Sequence, residues 1–189
     1  MIPFAAVAGI LEKELSGSRY RHSLAVARLA GELAKTHGWN VKDARMAGLV
    51  HDCAKEWKPK QLIYYARRRR LNIPDLKFIL PSSPNLLHAY VSADVAKHNG
   101  WIRTAAQVSA VRAHTLGCLP MGKPESILFV ADLAAYDRAF PGVRRIRAVA
   151  RQDLRAGLRE ALALKMNHQL RKGKRIHPMP VAVWNSLWT

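Results

Sequence analysis

The sequence predicts an all-α fold in one compact domain. Ala, Leu, Arg, Glu and Lys dominate, and runs of alternating β-branched residues are absent. Apolar residues recur at three- and four-residue spacing between recognisable helix starts and stops. The 189 residues suit a single domain with a normal core, needing no disulfide to hold it.

The elements follow in order. Ile10, Leu11 and Leu15 sit at helical spacing in a first segment that stops at Ser16-Gly17-Ser18. Ser18 is the expected N-cap of the second helix. That helix carries the small-residue stripe Leu24, Ala27, Ala30, Gly31 and Ala34 and ends near His37-Gly38. A third helix is expected from Val41 to Ala54, with Ala44, Ala47, Gly48 and Val50 inward. Lys58-Pro59 opens a fourth. Asn72-Ile73-Pro74 and the stretch from Pro81 to Pro84 read as turns around a short helical piece. Leu86 to Lys97, Thr104 to His114 and Glu125 to Ala135 read as three more helices, with a loop from Pro120 to Pro124. Val143 to Leu170 reads as one long amphipathic helix, with Leu154, Leu158, Leu162 and Lys165 on one stripe. A short helix around Val181 to Leu187 closes the chain. There is no repeat or linker. The expectation is one domain over residues 1–189, with a core of about 18–140 and a basic C-terminal helix and tail, 141–189, packing on it.

Charge is the unusual bulk property. Lys and Arg total 31 against 13 acids, a net charge of +18. The surplus clusters, with an excess of ten between Arg138 and Arg175 and of six between Lys55 and Lys77. Such a surface attracts polyanions. No apolar run approaches the roughly 18–20 residues that span a bilayer. Met1 to Ile10 lacks the basic start of a signal peptide, so the expected location is the cytoplasm, with Cys53 and Cys118 as reduced thiols.

Four positions carry the first chemical signal. His51-Asp52 lies between Leu49-Val50 and Cys53-Ala54. An ionised aspartate in apolar surroundings is costly unless it is paired or holds a metal. Alone, such a pair reads as an ordinary polar helix end. His22 opens another helix, however, and Asp132 interrupts the apolar run Leu128-Phe129-Val130-Ala131. Imidazole and carboxylate together suit Fe, Mn, Zn or Ni. His22, His51, Asp52 and Asp132 make a four-ligand set drawn from three helices. His37, His98, His168 and His177 lack such settings and read as surface or structural.

The pattern His22…His51-Asp52…Asp132 resembles the H…HD…D signature of HD-superfamily phosphohydrolases. Longer blocks resemble the YqeK-like symmetrical diadenosine tetraphosphatases within it: RYRHSLAVARLAGELAKTHGWNVKDARMAGLVHDCAKEW, LLHAYVSADVAK, AVRAHTLG, ADLAAYDRAFPGV and GKRIHPMPVAVWNSL. These cover nearly the whole chain. The resemblance implies an HD-domain helical bundle that hydrolyses diadenosine tetraphosphate to two ADP, with metal-bound hydroxide as nucleophile. It implies His88 and His114 as ligands of a second metal and Asp52 as a bridge between the two. The metals it implies are divalent and iron first, with Mn, Ni, Zn or Mg as the alternatives. Lys55 and Arg138 are implied in catalysis and phosphate binding, and Arg19, Arg112 and Thr115 are expected to join them at the phosphates. One stretch departs from the family: Ala134-Ala135-Tyr136 stands where an Ile-Glu-Pro-like segment is usual, which bears on substrate preference.

Two alternatives stay open at this level. One is an HD hydrolase of another nucleotide. The other is a basic nucleic-acid- or ribosome-associated binding protein with a residual metal site, favoured by the charge and by the Arg67–Arg70 run. A membrane role for Val143 to Leu170 fits poorly, because that helix lacks an aromatic anchor. The sequence leaves the oligomeric state open, a dimer included, with Trp184 and Trp188 suited either to an interface or to covering the core.

Overall fold

A computed structural model describes residues 2–188, apart from the side chain of residue 82. Within it lie eleven α-helices and no strand. They are α1 (Phe4–Glu14), α2 (Gly17–His37), α3 (Val41–Val50), α4 (Pro59–Arg68), α5 (Leu76–Ser82), α6 (His88–His98), α7 (Ala105–Ala113), α8 (Lys123–Ala134), α9 (Val143–Gln152), α10 (Leu154–Arg171) and α11 (Pro178–Ser186), with a 3-10 turn at Pro84–Leu87 before α6.

Small residues set the central packing. α2 and α3 lie against each other along Ala27, Ala30, Gly31, Ala44, Ala47 and Gly48, all buried. A Cβ on Gly48 would lie 2.7 Å from Ala27 Cα and 2.9 Å from Ala27 N, so only glycine permits this approach. α8 fills the other side of α2 with Ile127, Leu128, Phe129 and Val130, each at most 1% exposed. α9 and α10 pack on α8 in turn. A second apolar cluster, including Leu62, Ile79, Leu87 and Leu116, lies beneath α4, α5 and α6. Cys53 belongs to the first cluster and Ala54 to the second. The turn after α3 is therefore the seam between them.

Several expected boundaries move, each for a local reason. Ser16, not Ser18, caps α2: its Oγ accepts from Arg19 N. Glu56 grips the same serine through its N–H at 2.9 Å and its hydroxyl at 2.5 Å, tying the start of α2 to the turn after α3. α3 ends at Val50, four residues early. The His51 ring donates from Nδ1 to Gly48 O, and residues 50–57 close i→i+3 turns instead. Pro81 lies inside the last turn of α5, and Pro84 opens the 3-10 turn, so the predicted turn there is helical.

The expected long helix from Val143 to Leu170 is two helices. Asp153 adopts an extended backbone, and its N–H closes α9 onto Val149 O. Its carboxylate caps α10 by accepting from Arg155 N and Ala156 N. Gly157 then lets α10 touch Ala150, where a Cβ would come within 2.4 Å. The closing helix starts at Pro178, earlier than expected, with His177 Nδ1 capping it. Trp184 and Trp188 pair edge to face, with Trp188 exposed.

Candidate metal centre

Each element that meets the seam delivers polar side chains to it. α2 supplies Arg19 and His22, the turn after α3 supplies His51, Asp52 and Lys55, and α6 begins with His88. His114 follows the last residue of α7, and α8 carries Asp132. His22, His51, Asp52, His88 and His114 are all at most 3% exposed.

The ring orientations are uniform. His51 Nδ1 bonds Gly48 O at 2.7 Å, His88 Nδ1 bonds Asn85 O at 2.5 Å, and His114 Nδ1 bonds Val111 O at 2.7 Å. His22 Nδ1 bonds Asp137 Oδ2 at 2.9 Å. Each acceptor holds the proton on Nδ1, so each Nε2 turns a lone pair inward. There His88 Nε2 and His114 Nε2 stand 3.2 Å apart, and 3.1 and 3.3 Å from Asp52 Oδ1. His22 Nε2 stands 3.0 Å from Asp132 Oδ1, with His51 Nε2 at 3.7 Å from the same oxygen and 3.4 Å from Asp52 Oδ2. Buried His51 Nε2 and Asp52 Oδ1 have no hydrogen-bond partner. Lone pairs crowded this way repel unless a cation lies among them. The donor set and its spacing fit divalent metals with nitrogen and oxygen ligands.

The electrostatics agree. Burial and the surrounding groups hold His88 below its ordinary value and His114 down at about 4, so both rings are neutral. Burial opposes charge on His51, but Asp52 and Asp132 outweigh it and raise the ring to about 10. Two carboxylates that draw a proton onto a buried imidazole draw a divalent cation more strongly. Against the cost of burial, neighbouring histidines keep Asp52 and Asp132 far below the usual carboxylate range.

Cationic side chains surround the cluster. Arg19 Nη1 donates to Asp52 Oδ2 at 2.8 Å, Lys55 Nζ lies 3.1 Å from His88 Nε2, and Arg138 Nη2 lies 3.3 Å from His22 Nε2. Thr115 is buried beside His114, with an unpartnered Oγ1. Arg112 is not brought to the cluster. Two residues before His114 on α7, it points about 200° away around the helix, onto Asn72 O and over the Tyr90 ring. A surface cavity of about 1230 Å³ around His37, Leu119 and Leu158 contains none of the site residues.

The sequence pattern of the HD domain family matches residues 19–137. The chain belongs to the HD domain family. It is 31% identical to a symmetrical bis(5'-nucleosyl)-tetraphosphatase of Halalkalibacterium halodurans, over 94% of this chain and 93% of that one. A Bacillus subtilis protein of the same description is 30% identical over 94% and 93%. A crystal structure from Clostridium acetobutylicum, described as a predicted HD superfamily hydrolase involved in NAD metabolism, superposes with a TM-score of 0.91. It is 29% identical and covers 99% of this chain and 97% of its own. The protein is accordingly an HD-domain, metal-dependent hydrolase.

Two residues near the cluster lie outside the motif. Asp137 orients His22, yet it looks in sequence like an exposed loop acid. Lys165 offered a signal, being the one charge on the stripe of Leu154, Leu158 and Leu162. Its ammonium lies 4.6 Å from the centre of the Phe129 ring, one turn from Asp132. Burial pushes it down to about 8, against the pull of Asp132 and Asp52.

Asp137→Ala is expected to weaken metal affinity by about 10–100-fold, as loss of a carboxylate behind a ligand histidine generally does. Metal titration of the folded variant checks this. Unchanged affinity would show that His22 needs no help from Asp137.

Proposed function

We propose that this HD-domain hydrolase splits diadenosine tetraphosphate symmetrically into two ADP, using two divalent metals, iron foremost. The observation that carries the reading is the division of Asp52. Its Oδ1 faces His88 and His114, while its Oδ2 faces His51. One carboxylate thus serves both halves of the cluster. His22, His51, Asp132 and Asp52 would hold one metal, and His88, His114 and Asp52 the other. The two relatives above supply the substrate class by their names.

Bound there, the metals supply Lewis acidity toward water and phosphoryl oxygens. The chain's own cations do the rest. Arg19, Lys55 and Arg138 leave the ligand atoms for phosphate oxygens, where they neutralise charge developing as the central P–O–P bridge breaks. Thr115 Oγ1 donates to the same chain of phosphates. Buried histidines locked on Nδ1 keep the ligand set rigid. Water contributes its oxygen to one β-phosphate, and the bridging oxygen leaves with the other.

Lys165 gives a chain-specific check. An ammonium half-buried against Phe129 costs stability that a nearby polyphosphate recovers. Lys165→Met is expected to raise the Tm of the metal-free protein by roughly 2–4 °C per kcal/mol of relieved burial, while raising KM for the nucleotide. A lower Tm with unchanged KM would make Lys165 structural.

The deciding assay loads the protein with Fe(II) under reducing conditions, adds diadenosine tetraphosphate and resolves the products. ADP alone supports the reading. ATP plus AMP moves the point of attack and rejects symmetry. Metal uptake without turnover assigns the centre to another nucleotide.

A further inference from the structure

Arg138 belongs to two places at once. Its guanidinium reaches the metal centre, 3.6 Å from Asp132 Oδ1. It also lines a cavity of about 790 Å³ formed by the segment after α8 and the first turns of α9. That volume lies within the roughly 300–1,000 Å³ of small-molecule sites. Arg138 thus stands between the cluster and this cavity.

Its charge is one-sided. Arg138, Arg144, Arg145 and Arg147 line it, and no carboxylate does. Arg145 is already paired with Glu160 at 2.9 Å. Among the described residues, Arg144 and Arg147 have no carboxylate partner. Arg147 instead stacks on Tyr136, 5.1 Å from the ring centre. Tyr136 is held in turn, donating to Glu32 at 2.5 Å and accepting from Arg151 at 2.6 Å. The first turn of α9 carries no acid and no side-chain cap, which adds to the positive potential. Half-buried Phe140 supplies an apolar wall. Unpaired guanidinium groups beside a planar apolar surface suit phosphates joined to an aromatic base.

We propose that this cavity is the subsite for the second nucleoside diphosphate half of the substrate. Its phosphates meet Arg144 and Arg147, and its base lies against Phe140. The proposal rests on reading the centre as a dinucleoside polyphosphate hydrolase. Cleavage in the middle of such a substrate leaves a nucleotide on each side of the metals, so a second subsite must adjoin the centre. Tyr136, part of the stretch that departs from the family pattern, acts here as a positioning residue that holds Arg147 toward the cavity.

The test uses the full chain at physiological ionic strength, where nonspecific attraction is screened. Calorimetry follows ADP binding to Asp52→Asn protein without added metal, with and without the double substitution Arg144→Gln, Arg147→Gln. Both arginines lie at the surface of α9, and circular dichroism confirms folding. In parallel, steady-state kinetics on diadenosine tetraphosphate compare the iron-loaded wild type with the double variant. The expected result is an ADP affinity weakened at least tenfold and a tenfold or larger loss of kcat/KM that falls on KM. ADP affinity and KM within twofold of the unsubstituted protein would overturn the proposal. So would a short single-stranded RNA held more tightly than ADP and lost with the same substitutions, which would make the face a nucleic-acid surface. If ADP binding depends on Arg144 and Arg147 but the wild type leaves diadenosine tetraphosphate intact, the substrate reading fails and the nucleotide site stands.

Discussion

Asp52→Ala is expected to abolish hydrolysis, lowering kcat by at least about 10³-fold. Among the described residues, Asp52 alone has an oxygen toward each half of the cluster: Oδ1 at 3.1 Å from His88 Nε2, and Oδ2 at 3.4 Å from His51 Nε2. Its loss removes a ligand from both halves and leaves Arg19 without its 2.8 Å partner. A second readout separates metal loss from misfolding. A ligand present at a thousandfold excess over its Kd adds about 4 kcal/mol to the stability of the wild type. For a chain of this size that is on the order of 10 °C in Tm. Asp52→Ala should fold, yet gain little from added metal. Asp52→Asn, nearly the same shape, should behave likewise. Wild-type activity, or an undiminished rise in Tm, in both variants would remove Asp52 from the centre.

Gly48→Ala should destabilise the protein by about 3 kcal/mol, lowering Tm by roughly 6–12 °C. Helix propensity alone argues the other way, since alanine is favoured over glycine by about 1 kcal/mol inside a helix. Geometry decides. The new Cβ would meet the backbone of α2 at 2.7 and 2.9 Å, and no rotamer change moves a backbone. α2 and α3 must separate, carrying His22 and His51 apart, and the Gly48 carbonyl that orients His51 moves with them. Metal affinity should therefore fall together with stability. Gly9→Ala is the control. Its Cβ meets nothing within 4 Å, so propensity wins and the protein should gain about 0.5–1 kcal/mol. Chemical denaturation of both variants checks the pair, and a destabilised Gly9→Ala with a stable Gly48→Ala would reverse the argument.

The sequence was most legible where a residue contradicts its surroundings. Asp52 and Asp132 stand in apolar runs, and an unpaired carboxylate in such a place is too costly to be idle. His22 joined them by motif order, and His88 and His114 by resemblance alone, since a half-buried histidine is ordinary taken singly. Helix content was equally legible, because 3.6-residue periodicity and small-residue stripes are local properties. The break at Asp153 was not. The apolar pattern runs straight through it, and the close approach of Gly157 to Ala150 across the break belongs to the tertiary fold.

The chain's own residues thus determined an all-α HD domain and the composition of a metal centre. Tertiary structure decided which atoms face one another. It turned Arg112 away onto Asn72 and Tyr90. It recruited Asp137 behind His22 and brought Lys165 over the Phe129 ring, one turn from Asp132. It also gathered four arginines around one cavity. Composition fixes how many charges a chain has and spacing fixes which face of a helix they take. Where those faces point is settled only when glycines and alanines let the helices close to contact.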